Sequence, residues 1–389
     1  MTSPAVRDLI PIARPWMDER EADAARRAIL SGWVTQGPEV AAFEQEFAAA
    51  VGSPHACAVS SCTTALHLSL VALGVEPGDE VVTVSHSFVA TANAVRHAGA
   101  TPVFVDVEPA TWNMDPARLE DACGSRTRAI VCVHQIGMPA DMAGILAVAR
   151  ARGLPVIEDA ACAVGSEIRL HDTWERIGRP HGDVACFSFH PRKLLSTGDG
   201  GMITTRHADI DARLRLLRQH GMSVPDTVRH ASAAVVFEQY PVVGYNYRLT
   251  DIQAAVGREQ LRRLPAMVAR RRELAARYQA RLADLPRVGL PVEPAWARTN
   301  WQSFAVTLGE GLDQRGVMQA LLDLGISTRR GVMNAHREAA YPPGSWRTTA
   351  AGLANGERAQ DTTILLPMYH QMTADDQDRV VDALRGACA

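Results

Sequence analysis

Short β-branched runs alternate along the first half of the chain with longer segments whose apolar residues recur every three to four positions. Val81–Val84, Pro102–Asp106, Ala129–Val133, Pro155–Asp159 and Ala185–Phe189 are nearly continuous apolar runs, the pattern of strands buried on both faces. Between them, Thr64–Leu73, Ala90–His97 and Met142–Arg152 have helical spacing. This alternation, with a short strand at Met202–Thr205, predicts an α/β fold: a mainly parallel sheet wrapped by helices, whose ligands gather beyond the strands' carboxyl ends. From Leu249 the pattern turns helical, and Gln260–Leu285 predicts a long Arg-rich helix leading out of the sheet. Past Pro291 the composition shifts, with a strand expected at Trp301–Leu308 and helices at Gly316–Leu324 and Asp375–Gly386. Two domains are therefore expected, a large one over residues 1–260 and a smaller α+β one over 261–389.

Composition narrows the class. The 389 residues are 47% apolar and carry a formal charge of -3, enough chain for two packed cores and without the basic stripe of a nucleic-acid binder. No apolar run approaches the roughly 18 residues of a membrane span. Met1–Arg14 carries Pro4, Arg7, Asp8 and Pro11 in place of a signal-peptide core, so the cytoplasm is the expected location. Seven cysteines without a paired C-x-x-C cluster predict neither a disulfide framework nor a zinc site, only small buried apolar side chains.

The chemistry collects at predicted strand ends. Lys193 follows the Ala185–Phe189 run and precedes the turn Thr197-Gly198-Asp199-Gly200-Gly201; a lysine there can trap an aldehyde as an imine. Ser188 lies five residues earlier, so strand alternation and the turn can bring both to one ligand. Asp159 ends an otherwise apolar strand, where an unpaired carboxylate is costly. A buried cationic ring nitrogen would supply its partner, as would a structural ion pair, and a helix cap would also use the carboxylate. Glu158 alternates to the other face and is expected to be structural. Ser61, Cys62 and Thr63 open the helix Thr64–Leu73, where free N–H groups could either be capped or cradle a phosphate. Phe88 sits at a strand-to-helix junction, placed to stack on a flat ligand or to join the core. His134 and His190 lie at strand ends without metal-ligand spacing. No G-x-G-x-x-G follows the first strand, which speaks against a nicotinamide dehydrogenase.

In that order, helix start, aromatic, Asp and Lys match fold-type I pyridoxal phosphate enzymes, and the chain resembles the DegT/StrS-type sugar aminotransferase family over nearly its whole length. The resemblance runs from Gly32-Trp33-Val34-Thr35-Gln36-Gly37-Pro38 to Leu366-Pro367-Met368. Between them it includes Val133-His134-Gln135-Ile136-Gly137-Met138-Pro139, Arg218-Gln219-His220-Gly221-Met222 and Gly244-Tyr245-Asn246-Tyr247-Arg248-Leu249-Thr250-Asp251.

The resemblance implies that Lys193 holds pyridoxal 5'-phosphate and shuttles a proton, that Asp159 pairs with the ring nitrogen and that Phe88 stacks on the ring. It assigns Ser61, Cys62, Thr63 and Ser188 to the phosphate end, and Cys162 to the position near the ring hydroxyl where many relatives carry Gln or His. Asn246 and Arg248 match a loop that reaches the phosphate or substrate of a neighbouring subunit, which implies a homodimer with shared sites, and His336 matches a histidine near the substrate entrance. Asp199 replaces the more usual Glu of the turn. A related branch of sugar dehydratases carries His in place of the lysine, so Lys193 favours transamination. The implied activity is ping-pong transfer of an amino group from an amino acid, expected to be L-glutamate, to a nucleotide-linked keto-deoxysugar. A keto-cyclitol acceptor and a non-catalytic, cofactor-binding regulatory protein are the alternatives.

Overall fold

Among residues 9–224, 229 and 232–389, which this computed structural model describes, fifteen strands and their connecting helices build the fold. Pro4, Arg7 and Asp8, on which the expectation for the amino terminus partly rests, lie outside the described residues. In chain order the strands are β1 (His55–Val59), β2 (Glu80–Val84), β3 (Thr101–Val105), β4 (Thr127–Val133) and β5 (Val156–Asp159). Then come β6 (Glu167–Leu170), β7 (Thr173–Arg176), β8 (Val184–Ser188), β9 (Gly201–Thr205) and β10 (Val288–Gly289). The last are β11 (Ala297–Arg298), β12 (Phe304–Leu308), β13 (Arg329–Arg330), β14 (Arg347–Thr348) and β15 (Thr363–Leu366).

The main sheet has the order β1-β9-β8-β5-β4-β2-β3-β14. Its pairings are parallel from β8 through β14, while β9 runs antiparallel to both β1 and β8. β1 and β8 therefore point the same way as β2, β4 and β5, and all five end at one edge. Strands such as β2, buried at every position, need helices on both faces, and two apolar clusters provide them. One packs Phe43, Phe47, Ile145 and Leu264 against the sheet; the other packs Leu66, Leu70, Val95 and Leu214 against the opposite face.

The helices Ala90–His97 and Met142–Arg152 have the bounds their spacing predicts. The long helix is Asp251–Leu282, capped by Thr250, and begins nine residues before Gln260. Its first half joins the large core through Leu261, Leu264 and Val268, and its second half joins a separate core through Leu274, Tyr278 and Leu282. The expected border between residues 260 and 261 thus falls inside a helix shared by both cores. That second core lies against the antiparallel sheet β10-β12-β15-β13 and recruits Ile10, whose backbone bridges to Ile326. β14, late in the chain, returns to the large sheet beside β3. The hairpin β6–β7, a largely polar pair, joins β11 through β6 in a third small sheet.

Candidate active site

At the shared carboxyl edge of β1, β2, β4, β5 and β8 lies a cavity of about 350 Å³. Ser61, Cys62, Thr63, Phe88, Asp159, Cys162, Ser188 and Lys193 all line it, although they are spread over more than a hundred positions of sequence. The convergence follows from topology: each sits at or soon after the carboxyl end of β1, β2, β5 or β8, strands that all point the same way although β9 runs antiparallel between β1 and β8.

Asp159 is the last residue of β5 and is 5% exposed. Its Oδ2 accepts the Thr91 hydroxyl at 2.7 Å and its Oδ1 accepts the Ala161 N–H at 3.2 Å. Thr91 is itself held by Ser87, the hydroxyl oxygens lying 2.8 Å apart. Burial pushes the Asp159 carboxyl above the usual aspartate range, against the pull of the Thr91 and Ala161 hydrogen bonds and of Lys193. No cationic side chain bonds it among the described residues. Glu158 points to the other face as alternation requires. Its carboxylate meets His134 Nε2 at 3.0 Å and accepts the His181 and Gly182 N–H groups at 2.7 and 2.8 Å. His134 is consequently a buried partner of Glu158, and its Nδ1 accepts the Ala140 N–H at 2.9 Å.

Lys193 leaves β8 through a loop closed on itself, its N–H bonding the His190 carbonyl at 2.8 Å while the Thr197 N–H bonds the Phe189 carbonyl at 3.0 Å. Its Nζ lies 2.9 Å from Cys162 Sγ. Gln302 pins the same loop from the far side, accepting the Leu194 N–H at 3.1 Å and donating to the Arg192 carbonyl at 2.5 Å. Asn300 donates to the Cys162 carbonyl at 2.8 Å. Six of the seven cysteines are buried, as expected, but Cys162 is half-exposed in the cavity.

Ser61 caps the helix Cys62–Ala72 in a reciprocal box with Thr64. The capping role and the anion cradle coexist, because the first-turn N–H groups of Cys62 and Thr63 have no partner within the helix. Gly201 makes the approach possible: a Cβ there would stand 2.6 Å from the Ser61 carbonyl and 2.8 Å from the Cys62 nitrogen. Phe88 is 60% exposed at the cavity and does not join the core.

Three expected site residues lie outside this cavity. Asn246 is exposed and bridges Gln219, Arg248 bridges Val59, and the flanking Tyr245 and Tyr247 rings stack at 5.0 Å. His336 bonds Ser85 Oγ at 2.7 Å and Glu357 at 3.0 Å, behind the loop that carries Phe88. Conversely, the structure brings in residues that the sequence reading missed: Thr91, Arg192, Gln302 and Arg329. A hydroxyl in the first turn after a strand-end aromatic is a weak signal for Thr91. Nothing local marks Gln302 or Arg329, which arrive from the far end of the chain.

The cavity suits pyridoxal phosphate on its own terms. It offers a buried carboxylate without a cationic partner, a lysine amine, an exposed aromatic face and unpaired first-turn amides. Among the described residues no cluster of His, Cys, Asp and Glu could hold a metal ion, and no helix is long and apolar enough to cross a membrane.

Comparison with known proteins agrees with this geometry. The spore coat polysaccharide biosynthesis protein SpsC of Bacillus subtilis (strain 168) is 38% identical over 380 residues, covering 97% of this chain and 96% of SpsC. The crystal structure of the aminotransferase TlmJ from Streptoalloteichus hindustanus superposes with a TM-score of 0.88 at 34% identity, covering 97% of this chain and 98% of TlmJ. DesV from S. venezuelae, solved in complex with a ketimine intermediate, superposes with a TM-score of 0.87 at 34% identity and the same coverage. Residues 15–385 match the DegT/DnrJ/EryC1/StrS aminotransferase family. The chain belongs to that family of pyridoxal phosphate-dependent aminotransferases, whose fold-type I architecture it shares.

Proposed function

We propose that this sugar aminotransferase moves an amino group from L-glutamate to a nucleotide-linked keto-deoxysugar, one cavity serving both half-reactions in turn. The observation that carries the reading is the meeting of Lys193 and the buried Asp159 in one cavity beside the first-turn amides of Cys62 and Thr63. Asp159 would hold the ring nitrogen of pyridoxal phosphate, Phe88 its face, and Cys62, Thr63 and Ser188 its phosphate. When bound, that group supplies the electron sink and carries the amine between donor and acceptor. Lys193 Nζ, once free, takes the proton from the donor's Cα and later returns a proton to the reacting carbon of the sugar. Cys162 Sγ lies 2.9 Å from that amine and orients it in the cavity. Thr91 keeps the Asp159 carboxylate oriented.

Arg192 and Arg329 are exposed cations at the cavity, which suits an anionic donor and a phosphate-bearing acceptor. A homodimer completes the proposal. Asn246 is exposed outside the chain's own cavity, and nearby in sequence Val235, Phe237 and Val243 are 85%, 88% and 89% exposed, an apolar surface suited to a second copy. Across such an interface Asn246 and Arg248 would serve the neighbour's site.

The test is turnover with L-glutamate and a panel of nucleotide-linked keto sugars and keto-cyclitols, following 2-oxoglutarate release and the aminated product. Nucleotide-sugar acceptors should dominate; activity confined to keto-cyclitols would overturn the acceptor and leave amine transfer standing. Lys193→Ala should lose both the covalently bound chromophore and turnover, and undiminished turnover would sink the role of the lysine.

A further inference from the structure

At the edge of the main sheet opposite the active site lies a second cavity, of about 660 Å³, between the helix Met142–Arg152 and the β6–β7 hairpin. That is within the usual ligand-site range of about 300–1,000 Å³. Arg150, Arg169, Arg179 and Arg206 line it, with Glu175 as the one carboxylate among its lining residues. Glu175 is already engaged, pairing with Arg179 at 2.9 Å and with His181 Nε2 at 3.1 Å. Arg150 and Arg169 have no carboxylate partner among the described residues. Arg206 is fixed in place, one of its terminal nitrogens donating to the carbonyls of His181 and Gly182 at 2.8 Å each. A chain of formal charge -3 thus gathers four guanidiniums around one concave surface.

A second observation marks the same place. The His181 side chain is 3% exposed, yet its Nδ1 makes no hydrogen bond, the nearest carboxylate oxygen of Glu158 lying 3.6 Å away. That nitrogen faces the Glu158 carboxylate, while Nε2 meets Glu175 at 3.1 Å, so the imidazole stands in the cavity wall between two carboxylates. His181, Arg150 and Arg206 also line an adjoining cavity of about 450 Å³, where Asp183 is the one carboxylate and meets His207 at 3.3 Å, so the concave surface continues as a groove.

We propose that this groove is a binding site for a diphosphate-bearing ligand, distinct from the catalytic cavity. Guanidinium forks match phosphate oxygens in pairs, and spacing them around a cavity selects a group with more than one phosphate. Leu146 and Leu170 form an apolar wall on which the remainder of a nucleotide can lie. Burial alone would lower the pKa of His181, but Glu158 and Glu175 outweigh it and hold the imidazole above its usual value. Because the backbone N–H groups of His181 and Gly182 hold Glu158, the groove is connected to the strand that presents Asp159.

The site can be tested on the enzyme loaded with pyridoxal phosphate by calorimetric titration with inorganic pyrophosphate and, separately, with uridine diphosphate, at low and moderate salt. Saturable binding is expected that Arg150→Glu and Arg169→Glu each weaken at least tenfold and that Arg329→Ala at the catalytic cavity changes less than about twofold, any uridine diphosphate held at the catalytic cavity appearing as a separate component that Arg329→Ala removes. Equal affinity for both probes would assign recognition to the diphosphate, and tighter uridine diphosphate binding to a nucleotide. Both arginines are exposed and bear no carboxylate, so the variants should melt near the wild type; if either does not, Arg150→Ala and Arg169→Ala are read instead. Absence of saturable binding, or binding lost in Arg329→Ala and unchanged in the Arg150 and Arg169 variants, would overturn the proposal.

Discussion

The amine of Lys193 lies 2.9 Å from the thiol sulfur of Cys162, in a cavity that also holds the Asp159 carboxylate. Burial alone would lower the pKa of the lysine. Cys162, Cys62 and Asp159 outweigh it and hold the ammonium above its ordinary value. Removing the nearest of these, in Cys162→Ala, should let the amine deprotonate at lower pH. The midpoint pH for uptake of pyridoxal phosphate by the apoprotein, followed by visible absorbance, is expected to fall; an unchanged midpoint would show that the thiol contributes nothing to the charge state of Lys193.

Asp159 is a buried acid whose pKa is raised by desolvation. A carboxyl with a folded pKa above its unfolded value opposes folding once the pH exceeds the unfolded value, near 3.9. In the cofactor-free protein at pH 7, Asp159→Asn should therefore raise the melting temperature, by about 1–2 °C. Turnover should fall on the order of a hundredfold or more, because the developing charge loses its anionic partner. A variant that melts lower would refute the view that this carboxylate is held against a folding penalty.

Glu158, on the other face of β5, has the opposite sign. Burial opposes its ionisation, yet hydrogen bonds to and charges on His134 and His181 depress its pKa well below the glutamate range. Its stabilisation is present above the unfolded pKa, about 4.3, and is lost as the pH falls towards the folded value. His181, with a raised pKa, contributes below its unfolded value near 6.5 and loses that contribution as the pH climbs through the folded one. Glu158→Gln should cost about 3 kcal/mol near pH 6. Chemical denaturation across pH should show the gap between the two proteins narrowing towards pH 3, and narrowing again as the pH rises past about 6.5 through the raised His181 value. A gap independent of pH would rule out charge as its source.

Gly201 brings β9 against the first turn of the helix Cys62–Ala72. Gly201→Ala would drive a Cβ to within 2.6 Å of the Ser61 carbonyl. The expected loss is about 1–3 kcal/mol in stability, together with weaker binding of pyridoxal phosphate, since the displaced amides are those proposed to hold its phosphate. Equilibrium dialysis of the cofactor would check the second effect, and unaltered affinity would detach those amides from the phosphate.

Val243 is 89% exposed beside the loop that carries Asn246 and Arg248. If this surface meets a second copy, Val243→Glu should shift the protein towards monomer in sedimentation experiments and reduce turnover with it. A wild type that sediments as a monomer while fully active would reject the shared site.

The sheet strands and several helices were readable because burial on both faces leaves long apolar runs, as in β2 and β4, and because helical spacing repeats over a few residues, as in Met142–Arg152. β1 and the β6–β7 hairpin were not anticipated. The hairpin is polar enough to pass for loop, and β1 is held by pairing with β9, far along the chain. The start of the long helix at Asp251 was also obscured: that carboxylate accepts the Gly37 and Val40 N–H groups at 2.7 and 3.0 Å, a contact no window of sequence contains.

The sequence by itself determined the α/β class and the strand-end positions of Lys193, Asp159 and Phe88, because these depend on apolar runs and local spacing, and its resemblance to the DegT/StrS-type family pointed to pyridoxal phosphate. Tertiary structure alone decided that Cys162 touches Lys193, that Thr91 holds Asp159, that Gln302 braces the lysine loop, and that Asn246, Arg248 and His336 stand outside the chain's own cavity. The reason is physical: periodicity and capping act over a few residues, whereas a distance between side chains on different strands is set by sheet order and packing, which neighbouring residues do not encode.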